Sequence, residues 1–381
     1  MLRPSHAIEI AVLALLCLAV VMVHSAGMAV RGAETVAIGP QWWLYSRHAA
    51  HAALAVTVML MASHLDLRRM PEHHPALNPV WWALGLALAL AVITLVPGIG
   101  EEINGARRWL KVGPVLFQPS ELVKWMILPA LACWCVRPGL NRFWTGLAPA
   151  LAMVAVACGV IVLEDLGTAA LIGLASMVVL LAGGAKIWQL ALLAPVGLAA
   201  GIGAILQSPY RVTRLVAFMD PWADAEGAGY HPIHAMVALA EGGLTGRGLG
   251  NGIQKFGYLP EDMSDFLFAI ICEELGVFGA MTVMGLYLLI IGAGVVAARR
   301  SASPFLSLLA LGVVTTLGIQ AIMNIAVVTV LVPTKGIALP LLSAGGTGWV
   351  MTAFALGLVA AVDRATMIES EPILGELAPA G

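Results

Sequence analysis

Between Tyr258 and Gly276 the chain carries acids into an apolar run: Asp265 heads it, and Glu273 and Glu274 lie inside it. A carboxylate at the centre of a membrane helix costs roughly 2.5–3.5 kcal/mol on insertion scales, so each needs a partner or a task. An acid in that setting is a candidate general base or half of an ion pair. Glu261 and Asp262 precede Asp265 by four and three residues and can share its helix face. Pairing with the helix dipole is enough to account for Asp265. Glu273 and Glu274 lie about 12–13 Å further along the axis at about 1.5 Å per residue. They require partners within a bundle, and Lys335 is one candidate.

The basic residues are few and clustered. Arg107 and Arg108 precede Trp109, which reads either as an interfacial anchor or as a guanidinium clamp on a lipid-borne phosphate. Lys124 follows Glu121 by three residues and Ser120 by four, all on one helix face. Glu121 and Lys124 can therefore neutralise each other, or Lys124 can face a polar cavity. Glu164-Asp165-Leu166-Gly167-Thr168 forms a tight acidic turn; Asp165 and Thr168 suit helix capping, with metal or substrate contact as the other reading. Arg211 and Arg214, three apart, can form one basic face of an interfacial helix. Glycines at 242, 243, 246, 248, 250 and 252 permit close backbone approach, yet the Gly-Lys-Ser/Thr ending of a nucleotide loop is absent. His231 and His234 have helical chelate spacing without a third ligand, and His73-His74 reads as a solvated loop. The five cysteines lie in or beside apolar runs. Their odd number argues against a disulfide framework or a zinc site and leaves buried thiols.

The elements that must position these groups are membrane helices. Of 381 residues, 60% are hydrophobic and only 11% charged, against about 25% charged in soluble domains; mean hydropathy is +0.92. A bilayer core permits only helices or closed barrels, and these apolar runs exceed the roughly ten-residue strands of a barrel. The sequence predicts an all-α polytopic integral membrane protein, a single domain over residues 1–381, with about ten transmembrane helices. Their approximate limits are 7–28, 43–64, 80–98, 119–136, 144–163, 167–184, 187–206, 265–297, 304–330 and 335–361. Trp42, Trp43, Trp81, Trp82, Trp144 and Trp188 sit at span ends, as interfacial indoles do. The first run has features of a signal peptide but is read as a retained span. Arg68, Arg69, Arg137, Arg142, Lys186, Arg299 and Arg300 fall in alternate loops, which places both termini in the cytoplasm, while Arg31 and Arg47 fall on the opposite face. That opposite face then carries two longer segments, 99–118 and a large extracytoplasmic loop at about 207–264. A net charge of −2 gives no support to nucleic-acid binding. Neither a tandem repeat nor an inverted half-to-half symmetry stands out.

With these residues in view, the chain resembles the SEDS family (shape, elongation, division and sporulation) over nearly all its length after the second span. The matches run in order: Gly105–Leu110 with Gln118–Lys124, Asp165–Thr168, Asp220–Trp222, Gly242–Gly250 and Leu259–Glu261. They continue through Asp265-Phe266 and Glu273–Gly276 to Asn324, Pro333–Pro340 and Ser343–Gly346. The resemblance implies a ten-span peptidoglycan glycosyltransferase of the bacterial inner (cytoplasmic) membrane that uses lipid II. It also implies as partners a class B penicillin-binding protein transpeptidase and other divisome or elongasome membrane proteins. Asp265 matches the family's essential acid. Gln254–Glu261 and Pro333–Gly336 look closer to the division branch than to the elongation branch, which implies work at the division septum. His231, Ser264, Ala344 and Glu164 stand where Gln, Thr, Tyr and Pro are usual, and the acidic and basic framework is intact.

The mechanism so implied brings two lipid II molecules into an outward-facing groove. Asp265 takes the proton of the acceptor sugar's 4-hydroxyl, from within about 2.6–3.2 Å. That oxygen displaces undecaprenyl pyrophosphate from the donor with inversion and no covalent intermediate. Arg107, Arg108, Lys124, Arg211, Arg214 and Lys335 are the candidate cations for substrate phosphates, and Ser343 is a further substrate contact. A divalent cation, Mg or Mn, is an alternative neutraliser; no metal ligand set is assigned. Glu121, Asp165, Glu273 and Glu274 are given structural or regulatory roles. An elongation polymerase is one alternative. A lipid II flippase is another, kept open by Glu273 and Glu274, because transporters gather polar groups on broken midplane helices. A scaffold for the transpeptidase is the last.

Overall fold

The computed structural model describes residues 3–27, 47–72, 78–103, 106–113, 115–259, 263–344 and 346–370. Arg31, Trp42, Trp43, His73, His74, Glu261 and Asp262 lie outside the described residues. Helices α1 (Pro4–Gly27), α2 (Arg47–Ala62), α3 (Pro79–Thr94), α4 (Pro119–Cys135), α5 (Ala148–Val162) and α6 (Leu166–Ala182) are followed by α7 (Ile187–Leu206). Next come α8 (Pro209–Met219), α9 (Tyr230–Gly242), α10 (Leu267–Arg300), α11 (Pro304–Val328) and α12 (Gly346–Ser370). A helix overlaps each of the ten apolar segments of the sequence, the tenth only from residue 346 onward, while α8 and α9 fold within the large loop. Among the described residues six helices are long and apolar enough to cross a membrane by length and composition: α1, α5 with the π-helical turn before it, α7, α10, α11 and α12. Helices α3 and α6 are shorter apolar helices. The protein is a multi-pass helical membrane protein.

Local sequence sets the helix starts. Prolines at the first positions of α3, α4 and α11 suit sites that have no N–H partner to lose. Asn78 accepts the Val80 N–H at 3.0 Å to cap α3. Helix α12 packs along α2, α1 along α10, and α11 against α10, α6 and α4. The core they enclose is aliphatic, with Leu128, Leu131, Ile290 and Leu317 at 0–1% exposure. Outward faces are as apolar as the core: Trp144 and Leu288 are 82% and 69% exposed, an arrangement that lipid solvates.

Two features differ from the sequence expectation. Residues 99–118 fold as a small antiparallel sheet, β1 (Gly100–Ile103), β2 (Ala106–Val112) and β3 (Val115–Phe117), added to an otherwise helical body. Glu101 faces Trp109 and Lys111 faces Leu116 across it. The tenth apolar segment does not begin its helix at 335. Residues 329–344 run irregularly and α12 starts at Gly346, because Pro333 and Pro340 cannot donate to a helical ladder.

Helix α10 is broken. Gly276 has φ 63° and ψ −159°, and a Cβ there would come within 2.4 Å of the Gly246 nitrogen. The break removes helical hydrogen bonds, and the glycine-rich segment after α9 replaces them. Arg247 N and Gly248 N donate to the Glu273 and Glu274 carbonyls at 2.9 and 3.0 Å, and Val277 N donates to Gly243 O at 3.0 Å. Gly246 lies so close that its Cβ would sit 2.1 Å from the Glu274 carbonyl oxygen. The two glutamate side chains are bound the same way. Ile253 N donates to Glu273 Oε1 at 2.6 Å, and Gly250 N donates to Glu274 Oε2 at 2.9 Å. Lys255 Nζ meets Glu274 Oε1 at 2.6 Å with both side chains fully buried, and Ser25 of α1 donates to the same carboxylate at 2.8 Å.

Lys335 is therefore not the glutamates' partner; Lys255 and the loop amides are. Removing one member of such a pair strands a buried charge. Lys255→Met is expected to cost about 3–5 kcal/mol, read from SDS-titration unfolding of the purified protein. The double variant Lys255→Met/Glu274→Gln is expected to recover more than half of that loss. Equal loss in both variants would show that the lysine acts through packing and not through charge.

Candidate active site

The end of the bundle that carries the sheet also carries most of the singled-out residues. Asp165 caps α6, accepting Thr168 N at 2.9 Å and Thr168 Oγ1 at 2.7 Å. Its second oxygen meets Arg108 Nη1 at 3.3 Å. The neighbouring Glu164 accepts the Arg107 backbone N–H at 2.8 Å. The acidic turn thus holds β2 by one side chain and one main-chain group. The β1–β2 register shifts between Glu101 and Glu102, leaving Arg108 as an extra residue on β2, so Arg107 and Arg108 do not alternate strictly and both line the cavity under the sheet, with different ion-pair partners. Arg107 pairs with Glu102 at 3.0 Å, where both are well exposed. Under the sheet a cavity of about 20 Å³ is lined by Thr94, Ser120, Arg108 and Asp165. Arg108 Nε and Ser120 Oγ are buried there without a protein partner, and the space admits about one water.

Asp265 stands in the turn before α10. Its carbonyl accepts Asn324 Nδ2 at 2.8 Å, and the same amide nitrogen donates to Ile337 O at 2.7 Å. Ala344 N donates to Met263 O at 2.8 Å. The turn and the 329–344 connection are therefore fastened together. They meet at Gly336, where a Cβ would lie 2.8 Å from Asp265 Oδ2 and 3.8 Å from Arg108 Nη2. The acid and the guanidinium reach the same small space over a glycine.

Lys124 is 1% exposed, meets Glu121 at 2.6 Å and donates to Gln320 Oε1 at 2.9 Å. Gln320 Nε2 passes the contact on to Ala338 O at 2.8 Å. Arg214 donates to Thr334 O at 3.3 Å with its guanidinium 4.5 Å from the Tyr210 ring centre. Arg211 donates to the carbonyls of Ala204, Val162 and Leu163, tying the end of α5 to α7. The two arginines of α8 therefore serve separate elements and make no single basic face. Burial holds the Lys335 ammonium below its ordinary value of 10.5, with Asp165 opposing that shift and Arg211 reinforcing it.

The structure thus brings together Asp265, Arg108, Asp165, Lys335 and Arg214 around Gly336, with Lys124 and Glu121 beneath. It does not bring in Glu273 or Glu274. Ser343 is 2% exposed, its hydroxyl accepting Leu339 N at 2.7 Å within its own turn, so it is no substrate contact. His231 stacks on Phe266 with ring centres 5.7 Å apart, while His234 Nδ1 lies 2.8 Å from Gln254 Oε1, so the two make no chelate. Among the described residues no three His, Cys, Asp or Glu side chains are arranged to hold a metal ion. The residues present do not fit a protein-built cation cage. Lys255, Gln320 and Asn324 escaped assignment from sequence, because single buried polar residues declare their partners only in three dimensions.

These features define a polytopic membrane protein with a carboxylate and guanidinium site at one end of its helix bundle. The model of the FtsW/RodA/SpoVE family, described as cell cycle proteins, matches residues 6–368, and the chain belongs to that family. It is 37% identical over 355 residues to a probable peptidoglycan glycosyltransferase FtsW of Aromatoleum aromaticum, covering 92% of this chain and 85% of the relative. Its fold matches a solved peptidoglycan synthase complex, described as coordinating polymerization and crosslinking. That match has a TM-score of 0.69 at 27% identity, covering 93% of this chain and 97% of that one. The rod shape determining protein RodA of Thermus thermophilus matches with TM-score 0.65 at 27% identity over 94% of this chain and 95% of its own.

Lys335 gives the site a stability signature. Its native pKa lies below 10.5, so holding it charged penalises the native state at pH values below that native pKa. The penalty fades as pH rises through the native pKa toward the unfolded value. Lys335→Gln is expected to be at least as stable as the parent at pH 7, with its advantage shrinking as pH is raised toward 10.5 in parallel SDS unfolding titrations. A variant less stable than the parent at pH 7, by a margin insensitive to pH, would show that the ammonium is a net stabiliser.

Proposed function

We propose that this protein is a peptidoglycan glycosyltransferase of the division branch of its family, polymerising lipid II into glycan strands at the septum. In this reading it spans the inner membrane about ten times with both termini in the cytoplasm, and a class B penicillin-binding protein and other divisome proteins work beside it. The observation that carries the reading is the convergence of Asp265 and Arg108 over Gly336. A carboxylate poised beside a fixed guanidinium, at a bundle end reached from the bilayer, suits acid–base chemistry on a lipid-linked phosphosugar. Membership of the family and the names of the relatives support it.

Asp265 is the general base: it removes the acceptor's 4-hydroxyl proton as that oxygen attacks the donor's anomeric carbon, which inverts. The pyrophosphate leaves with its charge met by Arg108, with Lys335 and Arg214 on the same rim. Arg107 pairs with Glu102 within the sheet and Arg211 ties the end of α5 to α7, so both are chiefly structural. Asn324 fixes the base by its backbone carbonyl. Lys124, through Gln320, holds the opposing connection. The flippase reading loses its motive, since Glu273 and Glu274 are occupied by loop amides, Lys255 and Ser25.

Purified protein is reconstituted with its transpeptidase partner on labelled lipid II, and glycan polymer is resolved on a gel. Asp265→Asn is expected to lower polymerisation by about 10²–10⁴-fold, the usual contribution of a positioned base, with unfolding unchanged. Gly336→Ala, whose methyl would displace the Asp265 carboxylate, is expected to impair activity while leaving lipid II binding. Polymer formed equally well by Asp265→Asn would sink the catalytic assignment. Transbilayer movement of lipid II without polymer would favour the flippase.

A further inference from the structure

At the end of the bundle opposite the sheet, α1, α10 and α12 leave a groove of about 510 Å³, lined by Arg3, Ala7, Leu288, Gly292, Val296 and Arg300. Its walls are aliphatic and lie on the outward surface, Leu288 being 69% exposed. Gly292 keeps the floor open: a Cβ there would meet nothing within 4 Å. Two guanidiniums from different elements line this one slot, Arg3 ahead of α1 and Arg300 at the last residue of α10.

Asp363 also lines the groove, 3% exposed and accepting the Ser5 N–H at 3.0 Å, so the slot carries two cations against one anion. The nearby Glu9 pairs with Arg364 at 2.8 Å. Neither Arg3 nor Arg300 has an ion-pair partner among the described residues. The helix dipole accounts for a cation at the end of α10. It does not account for a second cation from α1 sharing the same apolar slot. A soluble phosphate makes no use of leucine walls, and an uncharged lipid makes no use of two guanidiniums. Basic pockets between membrane helices are where anionic head groups lodge.

We propose that this groove is a binding site for an anionic glycerophospholipid. Its phosphodiester sits between Arg3 and Arg300, and an acyl chain lies along Leu288, Gly292 and Val296. The inference rests on the membrane fold and not on the polymerase assignment, so the two can fail separately.

The test uses the full chain in detergent micelles, with native mass spectrometry counting the phosphatidylglycerol or phosphatidylcholine of matched chains that stays bound. Preferential retention of phosphatidylglycerol is expected. Each arginine is worth roughly fivefold, so Arg3→Gln/Arg300→Gln should lower that preference by about 25-fold. Gly292→Leu, which fills the slot and leaves the charge, should lower retention of either lipid. Arg142→Gln, which removes an exposed cation elsewhere, should change nothing. Equal retention of the two lipids by the parent overturns the proposal, as does a preference for phosphatidylglycerol that survives both the double and the Gly292 variants. Thermal unfolding of each variant separates lost binding from lost fold.

Discussion

The buried contact between Lys255 and Glu274 holds in place the segment that leads into the Asp265 turn. Helix α10 breaks at Gly276, and a broken helix inside a bilayer leaves amides and carbonyls that water cannot reach. The chain answers with its own backbone: residues 243–254 supply donors and acceptors to both sides of the break. Two carboxylates then face a row of amide N–H groups, and their charge needs compensation, which Lys255 supplies at 2.6 Å. A buried ion pair of this kind adds little net stability over an apolar substitute. Its consequence is geometric. Residue 255 is fixed against α10 and α1, so the segment leading to Asp265 returns to the bundle at one place.

The second half of the site relies on the same device with neutral groups. Residues 329–344 form no helix and no ladder, yet they run beside the polar rim of the bundle. Asn324 and Gln320, four residues apart on one face of α11, donate to Ile337 and Ala338 carbonyls. Lys124 braces Gln320 from α4. Buried polar side chains take the part that secondary structure plays elsewhere; the Asn324 and Gln320 amide nitrogens are both used in this way, while Asn324 Oδ1 is buried without a protein partner, at a cost of about 1–3 kcal/mol. Gly336 can approach Asp265 only because the connection is held this rigidly and lacks a Cβ there.

The sequence was most legible where the physics is local or averaged over many residues. Apolar runs located ten helices because length and hydropathy add up over whole segments, and Asp165 and Thr168 declared a cap through short-range hydrogen-bond geometry. The Glu121–Lys124 pair followed from helical spacing alone. Legibility failed where a single backbone angle decides the outcome. Hydropathy does not register φ at Gly276, so α10 read as one unbroken run. It failed again for pairing across 19 residues, because nothing local distinguishes Lys255 from Lys335 as the partner of Glu274. The sheet was missed because its strands are short and carry Arg107 and Arg108 side by side at a bulge, a pattern that resembles a surface anchor until their separate partners, Glu102 and Asp165, are in place.

The acids that drew attention in the sequence are solved in opposite ways by the fold. Glu273 and Glu274 lie within α10 at 0% exposure, each met by amide N–H groups, and Glu274 by a lysine and a serine as well. A carboxylate held so completely cannot take up a proton from a substrate without dismantling the loop that holds it. Asp265, eight residues earlier, sits outside the helix, where Asn324 grips its backbone carbonyl and its carboxylate shares the space over Gly336 with the Arg108 guanidinium. The break in α10 locks the two glutamates into the scaffold, while Asp265 is placed through the turn at the head of the same helix.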